Sequence, residues 1–240
     1  MPVFKHILHR IKSGEKLLAV LLDPDKAQLH KLPQFVNKLN ATKATHIFVG
    51  GSSVANDVTD TLVTQLKQLT TLPIVIFPGD TNQITHRADA VLLLSLLSGR
   101  NANYLIGKHV EAVPVLRASK LEIIPTGYIL IENGKETAVE RVTGTKPMPK
   151  DNISFIVDTA KAGEFLGLAC IYLEAGSGAE QPVSKDIIYH VKHDITIPLI
   201  VGGGIKTNAQ LEMAYAAGAD MVVLGTILEE DESFFKTLKL

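Results

Sequence analysis

Cysteine occurs once in this chain, at position 170, which excludes an intrachain disulfide and fits a reducing, cytoplasmic setting. Cys170 sits in an apolar run and reads as core filling, not as a nucleophile. Neither sign of charge is in excess: 24 Lys and Arg against 25 Asp and Glu leave a formal net charge of −1, so no global field draws the chain to nucleic acid or an anionic membrane. An anionic ligand would have to be held by a local site. Long apolar runs are missing too, and a stretch such as 90–97 falls far short of the roughly 20 residues of a membrane span. Lys5, His6, His9 and Arg10, followed by the apolar run 17–22, superficially resemble a signal peptide. That run is short, ends in Asp23-Pro-Asp25 and lacks a small-residue cleavage pattern. The expectation is a cytoplasmic protein without a transmembrane segment, still able to touch a membrane surface transiently.

Familiar ligand motifs are also absent. Gly144-Thr-Lys146 lacks the upstream glycine spacing of a P-loop, and Gly202-Gly-Gly204 lacks the dinucleotide-binding pattern, so no nucleotide cofactor is expected. His6 with His9, and His190 with His193, lie three apart without further ligands nearby and read as ordinary surface or core histidines.

What is present is an alternation. The chain's 240 residues, 46% of them hydrophobic, suit one large core, and no internal repeat, low-complexity tract or linker divides it, so residues 1–240 read as one domain. Short β-rich apolar runs fall at 17–22, 46–50, 73–77, 90–95, 122–131, 170–174, 198–202 and 221–225. Helical patterns fall at 27–39, 59–69, 103–113, 152–166, 184–193, 208–217 and 229–238. Strand–helix alternation of this kind predicts an α/β fold with a parallel sheet, and the length matches the about 250 residues of a (β/α)8 TIM barrel. One helix is missing. After the third run, Gly79-Asp-Thr-Asn-Gln-Ile-Thr-His-Arg87 is too short and too polar to cover a sheet, which would open a groove in the barrel wall. The charged segment 132–150, after the fifth strand, is long enough to form a lid over the active-site face.

Three constellations sit where barrel strands end and catalytic groups gather. Pro198-Leu-Ile-Val-Gly-Gly-Gly-Ile-Lys-Thr207 and Gly218-Ala-Asp-Met-Val-Val-Leu-Gly-Thr226 each place glycines after an apolar strand. Such glycines let main-chain N–H groups approach a phosphate, and Thr207 is placed to cap a helix whose positive end faces the same anion. Glycines of this kind also serve plain strand-to-helix turns. At the end of the first strand, Asp23 is placed to ligate Mg²⁺, while Asp25 could equally cap the next helix. Ser52, in Phe48-Val-Gly-Gly-Ser-Ser53, could offer an oxygen to the same ion. In Tyr172-Leu-Glu-Ala-Gly-Ser-Gly178, strand periodicity puts Tyr172 and Glu174 on one face and Leu173 on the other. Glu174 is then a candidate general base, and the following glycines add donors to the phosphate cup.

Together these pieces, Leu22-Asp-Pro-Asp-Lys26, Val49-Gly-Gly-Ser52, Tyr172 to Gly178, Val201-Gly-Gly-Gly-Ile-Lys206 and Val223-Leu-Gly-Thr226, resemble the geranylgeranylglyceryl phosphate synthase family and its heptaprenylglyceryl phosphate relatives. Ser98-Gly-Arg-Asn-Ala-Asn-Tyr-Leu-Ile-Gly-Lys-His109 is also similar to the family's segment after strand four. The resemblance implies a modified (β/α)8 barrel with the third helix missing or replaced. It also implies transfer of a prenyl group from a prenyl diphosphate, with geranylgeranyl diphosphate the leading candidate, to the C3 hydroxyl of sn-glycerol 1-phosphate.

Carried over residue by residue, it makes Asp23 and Ser52 the Mg²⁺-site residues and Glu174, with Tyr172, the catalytic pair. Tyr172, Leu173, Glu174, Ala175, Gly176, Ser177 and Gly178, with Gly203, Gly204, Gly225 and Thr226, would bind sn-glycerol 1-phosphate. Phe77-Pro78 and the run 90–97 would line the isoprenoid groove, with Tyr104 limiting its length or simply packing a helix. Many members carry lysine where this chain has Leu21, which points to the second of the family's two groups and removes one phosphate contact. The resemblance further implies a homo-oligomer. A phosphosugar aldolase or isomerase barrel would share the phosphate cup, but Schiff-base chemistry needs a desolvated lysine, and none of the predicted strands contains one. A non-catalytic phosphate-binding protein would not need Asp23, Tyr172 and Glu174 on one face.

Overall fold

The structure, a computed structural model, describes residues 1–52, 54–225, 227–228, 234–235 and 237–238. Eight parallel strands pair in chain order, and the eighth closes onto the first. They are β1 (Leu17–Leu22), β2 (His46–Val49), β3 (Ile74–Ile76), β4 (Ala90–Leu96), β5 (Glu122–Leu130), β6 (Cys170–Glu174), β7 (Leu199–Gly202) and β8 (Met221–Leu224). Each matches a predicted run to within a residue at either end. Both faces of such strands are buried, which is why they read as nearly continuous apolar runs. In β6, Cys170 and Tyr172 point into the barrel, while Ile171 and Leu173 point out against the helices.

Around the sheet lie α2 (Leu32–Asn40), α3 (Val58–Leu69), α4 (Lys108–Arg117), α5 (Ala138–Thr143), α6 (Ile153–Phe165), α7 (Lys185–Asp194) and α8 (Asn208–Ala216), after an opening helix α1 (Val3–Lys12). Several start where a side chain satisfies an orphan N–H. Asn152 Oδ1 accepts from Phe155 N at 3.3 Å, Ser184 Oγ from Ile187 N at 3.3 Å, and Thr207 forms a capping box with Gln210. Buried faces such as Ile187, Ile188 and Val191 of α7 dock these helices, each side chain contributing roughly 1.5–3 kcal/mol.

Four departures from the predicted elements have local causes. Helix α1 was not foreseen. Its Phe4, Ile7 and Ile11 plug the end of the barrel opposite the glycine-rich loops, and Phe4 N donates to the Glu122 carboxylate at 3.2 Å. The pattern at 27–39 becomes helical only from Leu32, after a 3₁₀ turn at Leu29–Lys31, because Pro33 suits the first turn of a helix. The pattern at 103–113 begins with a π turn, Asn103–Gly107, before α4. The lid segment carries the short α5, capped by Thr137. The helical pattern at 229–238 contains residues 229–233 and 236, which lie outside the described residues. After β3, as the sequence predicts, no helix forms: the chain crosses to β4 through a single 3₁₀ turn, Thr81–Gln83.

Candidate active site

The C-terminal ends of the strands open into a cavity of about 600 Å³. It gathers Asp23, Ser52, Tyr172, Glu174, Ser177, Gly178, Gly203, Gly204 and Gly225 on one lining. Thr226 lies outside the described residues. Three residues predicted to bind substrate do not present side chains there. Leu173 and Ala175 pack in the outer layer between sheet and helices, as strand alternation requires, and Gly176 serves from behind through its N–H. Any contact from this trio to a ligand is through the main chain.

Glu174 is the pivot. Only 6% exposed, it accepts a hydrogen bond from Gly176 N at 2.6 Å. Burial pushes its carboxyl up to about 7, against the Gly176 N–H and the phenols of Tyr172 and Tyr128, which donate to it and hold it lower. Both phenols are raised well above their ordinary value, first by burial and then by the charge on Glu174, so they stay neutral donors. Tyr172 stacks on Phe77 with ring centroids 5.1 Å apart, and Tyr128 lies 5.4 Å from Tyr172. The sequence reading missed Tyr128. Its signal lay in the register, since Tyr128 on β5 pairs directly with Tyr172 on β6.

Beside this carboxylate lie the glycine loops. Gly203 and Gly204 take φ of +77° and +70°, a left-handed backbone that favours glycine, and their N–H groups have no partner among the described residues. The neighbouring N–H groups of Lys206 and Thr207 are occupied by Gln210 Oε1, at 2.8 and 3.2 Å. Gly203 and Gly204 follow the end of β7 and both line the cavity.

Across the cavity, Asp23 pairs with Lys26 at 3.3 Å and accepts from Asp25 N at 3.2 Å. Asp25 itself turns away: its carboxylate accepts from Ala55 N at 3.3 Å and clasps a loop. Ser52 lines the cavity next to Gly51, against whose α-carbon the Asp23 carboxylate packs. Among the described residues no group of three His, Cys, Asp or Glu side chains could cage a metal. One carboxylate beside open, glycine-lined loops fits Mg²⁺ shared with waters and phosphate oxygens, its usual ligation.

From this centre the cavity runs over Phe77, Pro78, Leu93 and Leu94 toward Ile84 and Ala112, through the wall where the helix after β3 is missing. Val139 and Val142 of α5 cover it, and Tyr104 Oη donates to the Val142 carbonyl at 3.2 Å. Lys108 and Asp80, also missed, meet at 3.1 Å on its rim. Hydrogen bonds to Glu111 and Asp80 hold the Lys108 ammonium up at about 12. Glycine turns, a buried carboxylate and an apolar groove thus share one chamber.

The model of the PcrB family matches residues 9–239. The chain is 53% identical over 233 residues to the geranylgeranylglyceryl phosphate synthase of Flavobacterium johnsoniae, covering 97% of this chain and 96% of that one. It is 52% identical over 233 residues to the enzyme of the same name from Zunongwangia profunda, covering 97% and 99%. Its fold matches the crystal structure of (S)-3-O-geranylgeranylglyceryl phosphate synthase from Thermoplasma acidophilum in complex with sn-glycerol-1-phosphate. That match has a TM-score of 0.92 at 31% identity and spans 99% of this chain and 96% of that one.

Proposed function

The chain belongs to the PcrB family, and we propose that it is a prenyltransferase joining a long-chain prenyl group, geranylgeranyl first among them, to sn-glycerol 1-phosphate through an ether bond. The observation that carries this reading is Glu174, a buried carboxylate raised to about 7, set between a glycine cradle and an apolar groove. A group with that affinity for protons, close to working pH, is matched to taking a proton from an alcohol.

The glycerol phosphate is held with its phosphate on the N–H groups of Gly203 and Gly204 and its C3 hydroxyl toward Glu174. The isoprenoid lies along Phe77, Leu93 and Leu94. Glu174 takes the hydroxyl proton as the oxygen forms a bond to C1 of the prenyl chain. The bond from C1 to diphosphate breaks, and diphosphate leaves with the electron pair. Asp23 and Ser52 would hold Mg²⁺, which when bound would supply positive charge to neutralise this leaving group. Phe77, Tyr128 and Tyr172, packed ring against ring, line the cavity beside Glu174, where aromatic rings would favour an allylic carbon that gains cationic character. α5, over the cavity, would exclude water that competes for the same carbon. Among the described residues no strand carries a lysine, and of the cavity's lysines Lys26 and Lys108 are paired with Asp23 and Asp80, which argues against a Schiff-base phosphosugar reaction.

No helix among the described residues is long and apolar enough to cross a membrane, and the water-insoluble product would leave from the open groove. An assembly of copies of this chain is part of the reading. Phe165 and Leu166, 79% and 76% exposed, give α6 an apolar end to cover, and sedimentation tests it. The central experiment incubates the protein with Mg²⁺, labelled sn-glycerol 1-phosphate and geranylgeranyl diphosphate. Extractable label in an ether, lost with EDTA and with Glu174→Gln, supports the assignment. No product with any prenyl diphosphate from geranyl to heptaprenyl would overturn it.

A further inference from the structure

We propose that Gln83, in the turn that stands where a helix is missing, is a positioning residue for the diphosphate half of the site; the inference rests on the function assigned above. Gln83 comes from a polar stretch with nothing to mark it, yet its side chain is only 1% exposed and every polar atom of its amide is used. Oε1 accepts from Gly51 N at 3.1 Å and from Gly79 N at 3.2 Å, and Nε2 donates to the Gly51 carbonyl at 2.7 Å. Residue 51 is therefore held at both its N–H and its C=O by one side chain.

Gly51 is the floor on which Asp23 rests. A Cβ there would lie 2.8 Å from Asp23 Oδ1, and the next residue is Ser52. The two loops are in main-chain contact. A Cβ on Gly79 would lie 2.2 Å from the Gly51 carbonyl oxygen, and one on Gly50 would lie 1.8 Å from that of Phe77. No bulkier side chain could enter to join them.

In the other βα units whose helix is described, a docked helix follows the strand and supports its loop. After β3 that support is gone, because the same space forms the groove, and one amide inserted from a 3₁₀ turn takes its place. Only a group that accepts and donates at once can do this. A carboxylate would set an acceptor against the Gly51 carbonyl, and an apolar isostere would leave two N–H groups and one C=O unpartnered beside an open cavity. Freed in that way, residues 51 and 52 drift, and with them the oxygens presented to the diphosphate.

A second amide allows an internal comparison. Asn133 Nδ2 donates to the carbonyls of Ala175, at 3.3 Å, and Gln181, and Asn133 Oδ1 accepts from Gln181 N at 3.3 Å, so it clasps the loop on the glycerol-phosphate side instead.

The test compares Gln83→Met, Gln83→Glu and Asn133→Ala with wild type, using steady-state kinetics in both substrates, calorimetry with inorganic diphosphate and Mg²⁺, and thermal unfolding. Gln83→Glu keeps the volume and one acceptor, so the comparison survives if Gln83→Met fails to fold. Both Gln83 variants are expected to raise KM for the prenyl diphosphate, and to weaken inorganic diphosphate binding, by about tenfold, the equivalent of losing one well-made hydrogen bond. KM for sn-glycerol 1-phosphate should stay near wild type, and Asn133→Ala should show the reverse pattern. An active wild type whose Gln83 variants lose both affinities equally, or lose only thermal stability, overturns the positioning role while leaving the function intact. A wild type that makes no prenyl ether overturns the function itself.

Discussion

The carboxylate of Glu174 rests against the bare α-carbon of Gly203: a Cβ placed there would lie 2.4 Å from Oε1. The proposed proton acceptor and the proposed phosphate cradle are thus two sides of one contact. Because Gly203 also has φ of +77°, Gly203→Ala meets strain and collision together. A non-glycine residue in that conformation costs about 1–2 kcal/mol. We expect a folded protein with a lowered melting temperature and a raised KM for sn-glycerol 1-phosphate. Thermal unfolding and initial rates check this, and an unaltered KM would separate the glycine turn from phosphate binding.

The base role proposed for Glu174 should appear in the pH profile. The ordinary value for this carboxyl is 4.5, and burial lifts it to about 7. If the ionised form accepts the hydroxyl proton, kcat/KM should fall on the acid side with an apparent pKa near 7, not near 4.5. A rate profile from pH 5 to 9 with saturating Mg²⁺ tests the assignment. Flat activity down to pH 5 would remove Glu174 as the base.

The same shift has a stability consequence. A carboxyl whose folded pKa exceeds its unfolded one favours the native state most below about 4.5, and that contribution is lost as pH rises to about 7. At pH 8 the buried charge therefore costs the fold about 3 kcal/mol. Glu174→Gln keeps the acceptor for Gly176 N and removes the charge. The variant should be nearly inactive, with kcat down by about 10²–10⁴, yet more stable than wild type at pH 8 and little changed at pH 4.5. Denaturant unfolding at the two pH values gives the comparison.

Much of this arrangement is legible in the chain because its signals are local. The strands read as apolar runs, the missing helix as a short polar stretch after β3, and Thr207 as a cap, since each depends on neighbours in sequence. What escaped is decided by distant partners. Helix α1 carries Val3, Ile7 and Ile11 at helical spacing, but its intervening Lys5, His6, His9 and Arg10 imitate a targeting segment until the barrel end it plugs is known. Tyr128 reaches Glu174 only through the register of β5 on β6. Gln83 turns inward only because two glycine loops, more than 25 residues apart in sequence, meet beside it.

Asp23 gives a metal-dependent expectation. Its carboxylate is the acidic group next to Ser52 in the cavity, so Asp23→Asn should raise the Mg²⁺ concentration needed for half-maximal rate and lower kcat/KM by about 10²-fold, as loss of leaving-group neutralisation implies. Calorimetry with Mg²⁺ and inorganic diphosphate should show a parallel loss of binding. An unshifted Mg²⁺ dependence would mean that the ion, if used, is held elsewhere.

Tyr104 joins the groove to its cover. Its ring lines the cavity, and its hydroxyl donates to the Val142 carbonyl in α5 at 3.2 Å. Tyr104→Ala removes both an obstruction and a tether. The freed space, about that of one isoprene unit, lies among apolar neighbours, where each buried CH₂ is worth ~0.8 kcal/mol. A longer chain should therefore gain affinity in the variant while a shorter one gains nothing. If the lost tether dominated, KM would rise for every chain length, because α5 would close less often whatever lay beneath it. Assays over prenyl diphosphates from geranyl to heptaprenyl separate the two. We expect the optimum to move to longer chains, and a uniform rise in KM would assign Tyr104 to the cover and not to the measure of the groove.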